Sequence, residues 1–103
     1  MPHVTLFRFK AQAGKRQAIL DQLEKWEREQ KSKAAGFQQS ILVAGNSDPN
    51  EFMGVVRWDS TANYVKNAGR PEQDAWFREL RSNLVDDPMW FDGTLERETN
   101  GSR

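Results

Sequence analysis

The side chains that most often carry chemistry are scarce in this chain, which has one histidine and no cysteine. Without cysteine there is no thiolate nucleophile, no disulfide and no thiolate metal site. His3 stands at the edge of the first expected strand and is expected to be exposed. A Ser-His-Asp relay needs an imidazole held between two partners, so His3 is a poor candidate for one. Zinc sites draw on Cys and His at short spacing, so a lone His offers neither zinc nor haem a ligand set, and no metal is expected. Glycines at 14, 36, 45, 54, 69, 93 and 101 form neither GxGxxG nor GxxxxGK[ST], which leaves no phosphate cradle. The adjacent acids Asp86 and Asp87 precede Pro88 and read as a turn rather than an acid/base dyad. Asn100-Gly101-Ser102 matches a glycosylation sequon, but no secretion signal gives it meaning. What remains is polar residues on helices: Asn63 and Asn67, one turn apart on a shared face, with Arg78 and Arg81. Two readings stand. They form a solvated surface, or they bind and polarise an aromatic substrate against stacked rings.

The elements that must position them follow from composition and periodicity. A chain of 103 residues holds one domain. Lys plus Arg and Asp plus Glu number 15 each, a balance that argues against a nucleic-acid partner. Residues 1–36 carry eight basic and four acidic side chains and the rest seven and eleven, an asymmetry able to orient two copies. No apolar run approaches the roughly 18–20 residues of a membrane span, and Met1–Lys10 does not read as a signal peptide. The expectation is therefore a soluble, cytoplasmic protein without a membrane partner. Four Trp, six Phe and one Tyr make 11% of a chain that is only 37% hydrophobic, with mean hydropathy −0.85. Rings must supply much of the core, leaving either a tight interior or an aromatic-lined pocket. The low apolar total also favours completing the core by dimerisation.

The alternation of His3–Lys10 predicts a first strand with apolar groups on both faces. Lys15 to about Ala35 reads as a helix with Ile19, Leu20, Leu23 and Trp26 on one stripe, and Gly36 suits its C′ position. Four acid-before-base pairs at i,i+4, from Asp21–Lys25 to Glu29–Lys33, solvate its outer face. Phe37–Ala44 and Glu51–Trp58 form a hairpin around turn formers 45–50. Ser60 caps a short helix, Thr61–Ala68, that Gly69 ends. Pro71 opens a third helix bearing Trp76, Phe77, Leu80 and Leu84, which Asp87-Pro88 stops. Met89–Arg97 is the last strand. The order β-α-β-β-α-α-β is α+β and ferredoxin-like, a single domain over residues 1–98 with a tail at 99–103.

The segments FRFKAQAGK, AAGFQQSILVA, DPNEFMGVVRWDSTANYV and WFREL lie within residues 3–96 and resemble the antibiotic biosynthesis monooxygenase superfamily. The resemblance implies a dimeric α/β barrel, in which the sheet packs on a second copy and the pocket lies between sheet and helices. The haem-degrading branch uses an Asn, a Trp and an axial His. Those positions hold Phe7, Asn67 and Arg81 here, so the axial ligand is missing. The branch that oxidises aromatic polyketides or quinols places Asn and Trp one turn apart on the short helix, with an Arg elsewhere in the pocket. Asn63 matches the Asn, Asn67 takes the place of the Trp, and Arg81 is the candidate Arg. The mechanism so implied uses no cofactor: the substrate is deprotonated and its anion passes an electron to O₂.

Two functions therefore compete. One is a cofactor-independent monooxygenase acting on a quinol or polycyclic phenol. In it Asn63 and Arg81 are the catalytic candidates, and Phe7, Trp58, Tyr64, Asn67, Trp76 and Phe77 bind the substrate. The other is a non-catalytic small-molecule binder or stress-associated dimer, and haem handling is a third, weaker reading. Both main readings expect a homodimer and an aromatic ligand. Three helices cover only one side of a four-stranded sheet, so Val4, Leu6 and their neighbours would be left as an apolar patch without a second copy.

Overall fold

The computed structural model describes residues 1–101. Along them run β1 (His3–Lys10), α1 (Arg16–Glu29), a 3₁₀ turn (Lys31–Lys33), β2 (Phe37–Ala44), β3 (Glu51–Trp58), α2 (Thr61–Ala68), α3 (Pro71–Ser82) and β4 (Met89–Thr94). The sheet is antiparallel in the order β2-β3-β1-β4. This is the α+β, ferredoxin-like arrangement the sequence predicts. Ser102, and with it the last residue of the sequon, lies outside the described residues, as does Arg103.

Alternation along β1 sends His3, Thr5, Phe7 and Phe9 toward the helices and Val4, Leu6, Arg8 and Lys10 to the other side. Cross-strand pairing carries this to the neighbours: Phe7 faces Gly54 on β3 and Trp90 on β4, and Thr5 faces Val56 and Asp92. The core sits at one end of the inner face, where Phe9, Ala11, Ile19, Phe52, Leu80 and Leu84 pack together. Gly54 is required by this packing, because a Cβ there would run into the Phe7 ring lying over it.

The C-terminal ends of α1 and α3 differ from expectation, each through a tertiary contact, while α2 keeps its expected bounds. α1 stops at Glu29 rather than near Ala35. Its C-cap Gln30 still reaches Trp26 through the backbone, while its side-chain Oε1 accepts from Arg70 Nη2 at 2.8 Å, and the chain continues as the 3₁₀ turn. Gly36 therefore follows that turn rather than a long helix, at φ +83°, where only glycine is unstrained. α3 stops at Ser82, ahead of Asp87. Beyond it Leu84 bridges Ala11, and Asn83 O accepts from Gln12 N at 2.9 Å, so the end of β1 draws the chain off the helical path. β4 ends at Thr94 rather than Arg97, and Glu98 is tied to Arg57 at 2.8 Å. Of the expected α1 surface pairs, Glu24–Arg28 and Glu27–Lys31 form. The Ser60 cap forms as predicted, its Oγ accepting from Asn63 N at 3.2 Å.

Candidate functional site

Between the inner face of the sheet and the three helices lies a cavity of about 870 Å³, within the range of small-molecule sites. Two strings of rings wall it. On one side Trp26 packs edge-on against Phe37, Phe37 against Trp58, and Trp58 against Tyr64. On the other Phe9 stacks on Phe7, which meets Trp90, and Trp90 meets Phe77. Such rings give a planar ligand large apolar contact at preferred offset or edge-to-face angles. Exposed Glu24, Glu27, Lys31 and Asp74 also border the cavity, so with Asp92 its lining holds four carboxylates against one ammonium.

One end of the cavity is polar. Thr5, on β1, donates to Asp92 Oδ1 on β4 at 2.6 Å, a contact made by their direct cross-strand pairing. His3, two residues earlier on the same face, places Nε2 2.9 Å from Thr5 Oγ1 and Nδ1 3.2 Å from Thr61 Oγ1 on α2. The imidazole stacks on Tyr64, centroids 4.1 Å apart and planes 15° from parallel. His3 and Thr5 are each only 3% exposed, so the expectation of an exposed terminal His fails. The Tyr64 ring stacked over the imidazole and the Thr5 and Thr61 hydroxyls at its nitrogens cover it. Tyr64's hydroxyl lies toward Thr5 and Asp92. Burial pushes its pKa above 10, the Thr5 hydrogen bond works against that rise, and the Asp92 charge adds to it. The phenol thus stays a neutral hydrogen-bond donor.

A second polar group stands at the α2–α3 junction. Asn67 is 6% exposed and its Oδ1 accepts from Arg70 Nη1 at 3.1 Å; the same guanidinium donates to Gln30. Asn67's amide is thereby oriented at the cavity wall from three elements at once.

All six expected binding residues, Phe7, Trp58, Tyr64, Asn67, Trp76 and Phe77, line the cavity. Asn63 and Arg81, the expected catalytic pair, do not. Asn63 Nδ2 donates to Asp59 Oδ1 at 2.9 Å, and its side chain lies so close over Gly36 that a Cβ there would collide with it. Arg81 donates through Nε to Asp87 Oδ1 at 2.6 Å and through Nη1 to Leu84 O at 3.3 Å. Both tie helix ends to adjoining chain, and they do not meet over a ligand. Sequence reasoning missed His3, Thr5, Trp90 and Asp92. The alternation of β1 and β4 puts each on a face, but only the β1–β4 register joins them. No cluster of three or more His, Asp or Glu side chains suited to a metal ion occurs among the described residues, and no helix there is long and apolar enough to cross a membrane.

Solved structures share this fold at low sequence identity. The chain matches a conserved protein from Methanosarcina mazei with TM-score 0.82 and 10% identity, over 93% of this chain and 94% of that one. Rv0793 from Mycobacterium tuberculosis matches with TM-score 0.80 and 15% identity, over 97% and 100%. A variant of SnoaB, a cofactor-independent oxygenase from Streptomyces nogalater, matches with TM-score 0.76 and 12% identity, over 94% and 95%. No functionally curated protein matches in sequence. The family model for antibiotic biosynthesis monooxygenases matches residues 2–84, and on that match the chain belongs to the antibiotic biosynthesis monooxygenase family.

Proposed function

We propose that the cavity oxidises a neutral polycyclic phenol or quinol with O₂ without a cofactor. The observation that carries this reading is an aromatic-walled cavity whose one polar end holds a carboxylate and a neutral phenol donor. Family membership and the likeness to SnoaB support it. The lining carboxylates Glu24, Glu27 and Asp74 are paired with Arg28, Lys31 and Arg78 at the cavity's exposed border, and the rings that make up the wall suit a substrate that enters uncharged. Loss of its O–H proton gives an electron-rich anion that passes an electron to O₂. The two radicals join at a hydrogen-bearing ring carbon ortho or para to the oxygen, and the resulting peroxide loses water as that carbon gives up its hydrogen. A phenol and one O₂ become a quinone and one water; the substrate supplies all the electrons, and no outside reductant enters. The rings hold the substrate flat and exclude water, and Tyr64 donates toward developing negative charge. Oxygen uptake by metal-free protein with a panel of phenols and hydroquinones tests the reading. Uptake at the buffer rate with every compound ends it.

The position of Asn63 and Arg81 outside the cavity favours the second reading, a non-catalytic binder, because the amide–guanidinium pair implied by the resemblance is not assembled. Saturable quenching of tryptophan fluorescence by aromatic ligands with no turnover would establish that reading.

The partner we infer is a second copy of the chain. On the face away from the helices Leu6, Ile41, Val43, Met53, Met89 and Phe91 are all exposed. Among and beside them stand the ion pairs Arg8–Glu51, Lys10–Asp48 and Arg57–Glu98, with Arg8 between Met53 and Met89, so the face carries both signs and suits a copy of itself. Burial at about 25 cal/mol per Å² favours covering such a patch.

A further inference from the structure

We propose that the cavity selects aromatic ligands that carry a ring carbonyl, flat ketones or quinones, and that the Asn67 amide is the donor that reads the carbonyl oxygen. The inference rests on the cavity being the ligand site and holds whether or not the bound ligand is oxidised there.

Hydrogen-bonding capacity at the α2–α3 junction is set by which atoms are already taken. An amide accepts through its oxygen and donates through its nitrogen, while a guanidinium only donates. Arg70 Nη1 stands 3.1 Å from the Asn67 side chain, so the amide atom facing it is Oδ1 and the amide is not free to turn over. Arg70 is itself held. Its Nη2 donates to Gln30 Oε1 at 2.8 Å, and its Nε lies 3.7 Å from Glu72 Oε2. Asn67 borders the cavity, whereas Arg70 and Gln30 do not, so the oxygen is engaged behind the wall. Nδ2, the other branch of the amide, makes no hydrogen bond among the described residues. It is not sealed off like the partnerless Gln22 Oε1 and Trp76 Nε1. Since Asn67 is only 6% exposed, the access that this nitrogen keeps is to the cavity. A buried donor without an acceptor is costly, and a ligand oxygen supplies one.

Gln73, in the first turn of α3, repeats the pattern with a different donor. Its Oε1 accepts at 3.2 Å from the Trp26 indole, a group that only donates, and Nε2 is the unspent part of an amide that also borders the cavity. Both amides have thus given their oxygens to protein donors, and what they have left is donation. An acceptor oxygen fits such a wall; a hydroxyl proton finds nothing on either amide to accept it. The nearby carboxylates of Glu27 and Asp74 are exposed and paired with Lys31 and Arg78. The amides are neutral, which suits an uncharged carbonyl on a ring system held between aromatic walls. By this assignment Asn67 touches the ligand, and Arg70 is a positioning residue.

The test compares 9-fluorenone with fluorene, flat tricycles that differ by one carbonyl, binding to the full chain in equilibrium dialysis. Asn67→Asp keeps an oxygen for Arg70, whose charge holds the new carboxylate ionised, and removes only the donor. The ratio of the fluorenone to the fluorene dissociation constant cancels what a substitution does to the fold or the rings. That ratio is expected to rise about tenfold in Asn67→Asp, the loss of one hydrogen bond. The carbonyl stretching band of bound fluorenone is expected at lower wavenumber on the wild type than on the variant. Arg70→Leu frees the amide to turn over and should raise the ratio about threefold. Gln73→Glu, which keeps the oxygen for Trp26, should raise it less than Asn67→Asp does, because Gln73 is only half-buried. A ratio and a band that do not move in Asn67→Asp overturn the proposal, as does a shift in Gln73→Glu alone. Fluorenone that fails to bind the wild type also overturns it. Should Asn67→Asp fail to fold, the ratio and the band on Arg70→Leu decide. Neither compound has a phenolic proton, so oxygen uptake from phenols is judged separately. Fluorenone read by Asn67, with no uptake from any phenol, upholds this inference and ends the oxygenase reading.

Discussion

The two faces of the sheet are written in the same strands, one residue apart, and they are built for different partners. Along β1 the inward His3 and Thr5 are each 3% exposed, while outward Leu6 is 42% exposed; on β3 inward Phe52 is 1% exposed and its neighbour Met53 57%. The inner face mixes rings with a hydrogen-bonded polar end, because helices close over it and buried polar groups there favour a partner, as His3 and Thr5 have; Trp76 Nε1 and Gln22 Oε1 are buried without one. The outer face is apolar and bare, and the charges that stand on it, Arg8 and Arg57 among them, are held in ion pairs. Discrimination among ligands resides on the first face and assembly on the second. A change of strand register by one residue would exchange the two.

The largest expected effect comes from breaking the outer face at its centre, where Leu6 faces Val55 and Phe91 on the neighbouring strands. Leu6→Glu would bury an unpaired carboxylate in each copy, at a cost of several kcal/mol per ion. The dissociation constant is expected to rise at least ~1,000-fold, with the monomer's fold and cavity retained. Sedimentation equilibrium at micromolar concentration reads this directly. A single wild-type species at the 11.9 kDa of one chain ends the dimer.

The inner face is broken next by Gly54→Val. The new side chain occupies the space of the Phe7 ring and drives it into the cavity. Overpacking of this kind costs about 1–3 kcal/mol, read by chemical denaturation, and aromatic-ligand affinity should fall with it. Unchanged stability together with unchanged quenching of tryptophan fluorescence would show that Phe7 does not form the wall there.

Local chemistry in the sequence accounts for much of this architecture. Ser60, Pro71 and the turn formers of residues 45–50 set element starts at the expected residues. The ring-rich cavity wall was legible too, since Trp58, Tyr64, Trp76 and Phe77 follow the periods of their strand and helices. The ends of α1 and α3 were not, because Gln30 and Leu84 are claimed by Arg70 and Ala11, which are distant in sequence. The polar end was hidden for the same reason. Thr5 and Asp92 are 87 residues apart, and only the register of β1 on β4 makes them neighbours. Asn63 shows the converse: motif position placed it on the ligand, while Gly36 and Asp59 take its side chain.

Asn63→Ala sharpens that point with a smaller effect. Loss of the Asp59 hydrogen bond is expected to cost about 1 kcal/mol of stability. Aromatic-ligand affinity, measured by fluorescence quenching on the folded variant, should stay within about twofold of wild type. A tenfold loss of affinity would return Asn63 to the cavity.

The smallest effect is read at the polar end through its tyrosine. Tyr64 is the chain's single tyrosine, so absorbance of its ionised form at alkaline pH reports on this residue alone. Burial beside the Asp92 carboxylate disfavours tyrosinate, and the midpoint in the folded protein should lie above 10. The unfolded chain releases this proton near 10 and the folded chain at higher pH, so the folded state holds more protons in between. Tyr64 therefore contributes stability that is fully present below pH 10 and is lost as pH rises through the folded midpoint. Asp92→Asn removes the repulsive charge and should lower the midpoint without returning it to 10, since burial is the larger cause. A wild-type midpoint at or below 10 would mean that Tyr64 is open to water, and that the cavity's polar end does not exclude it.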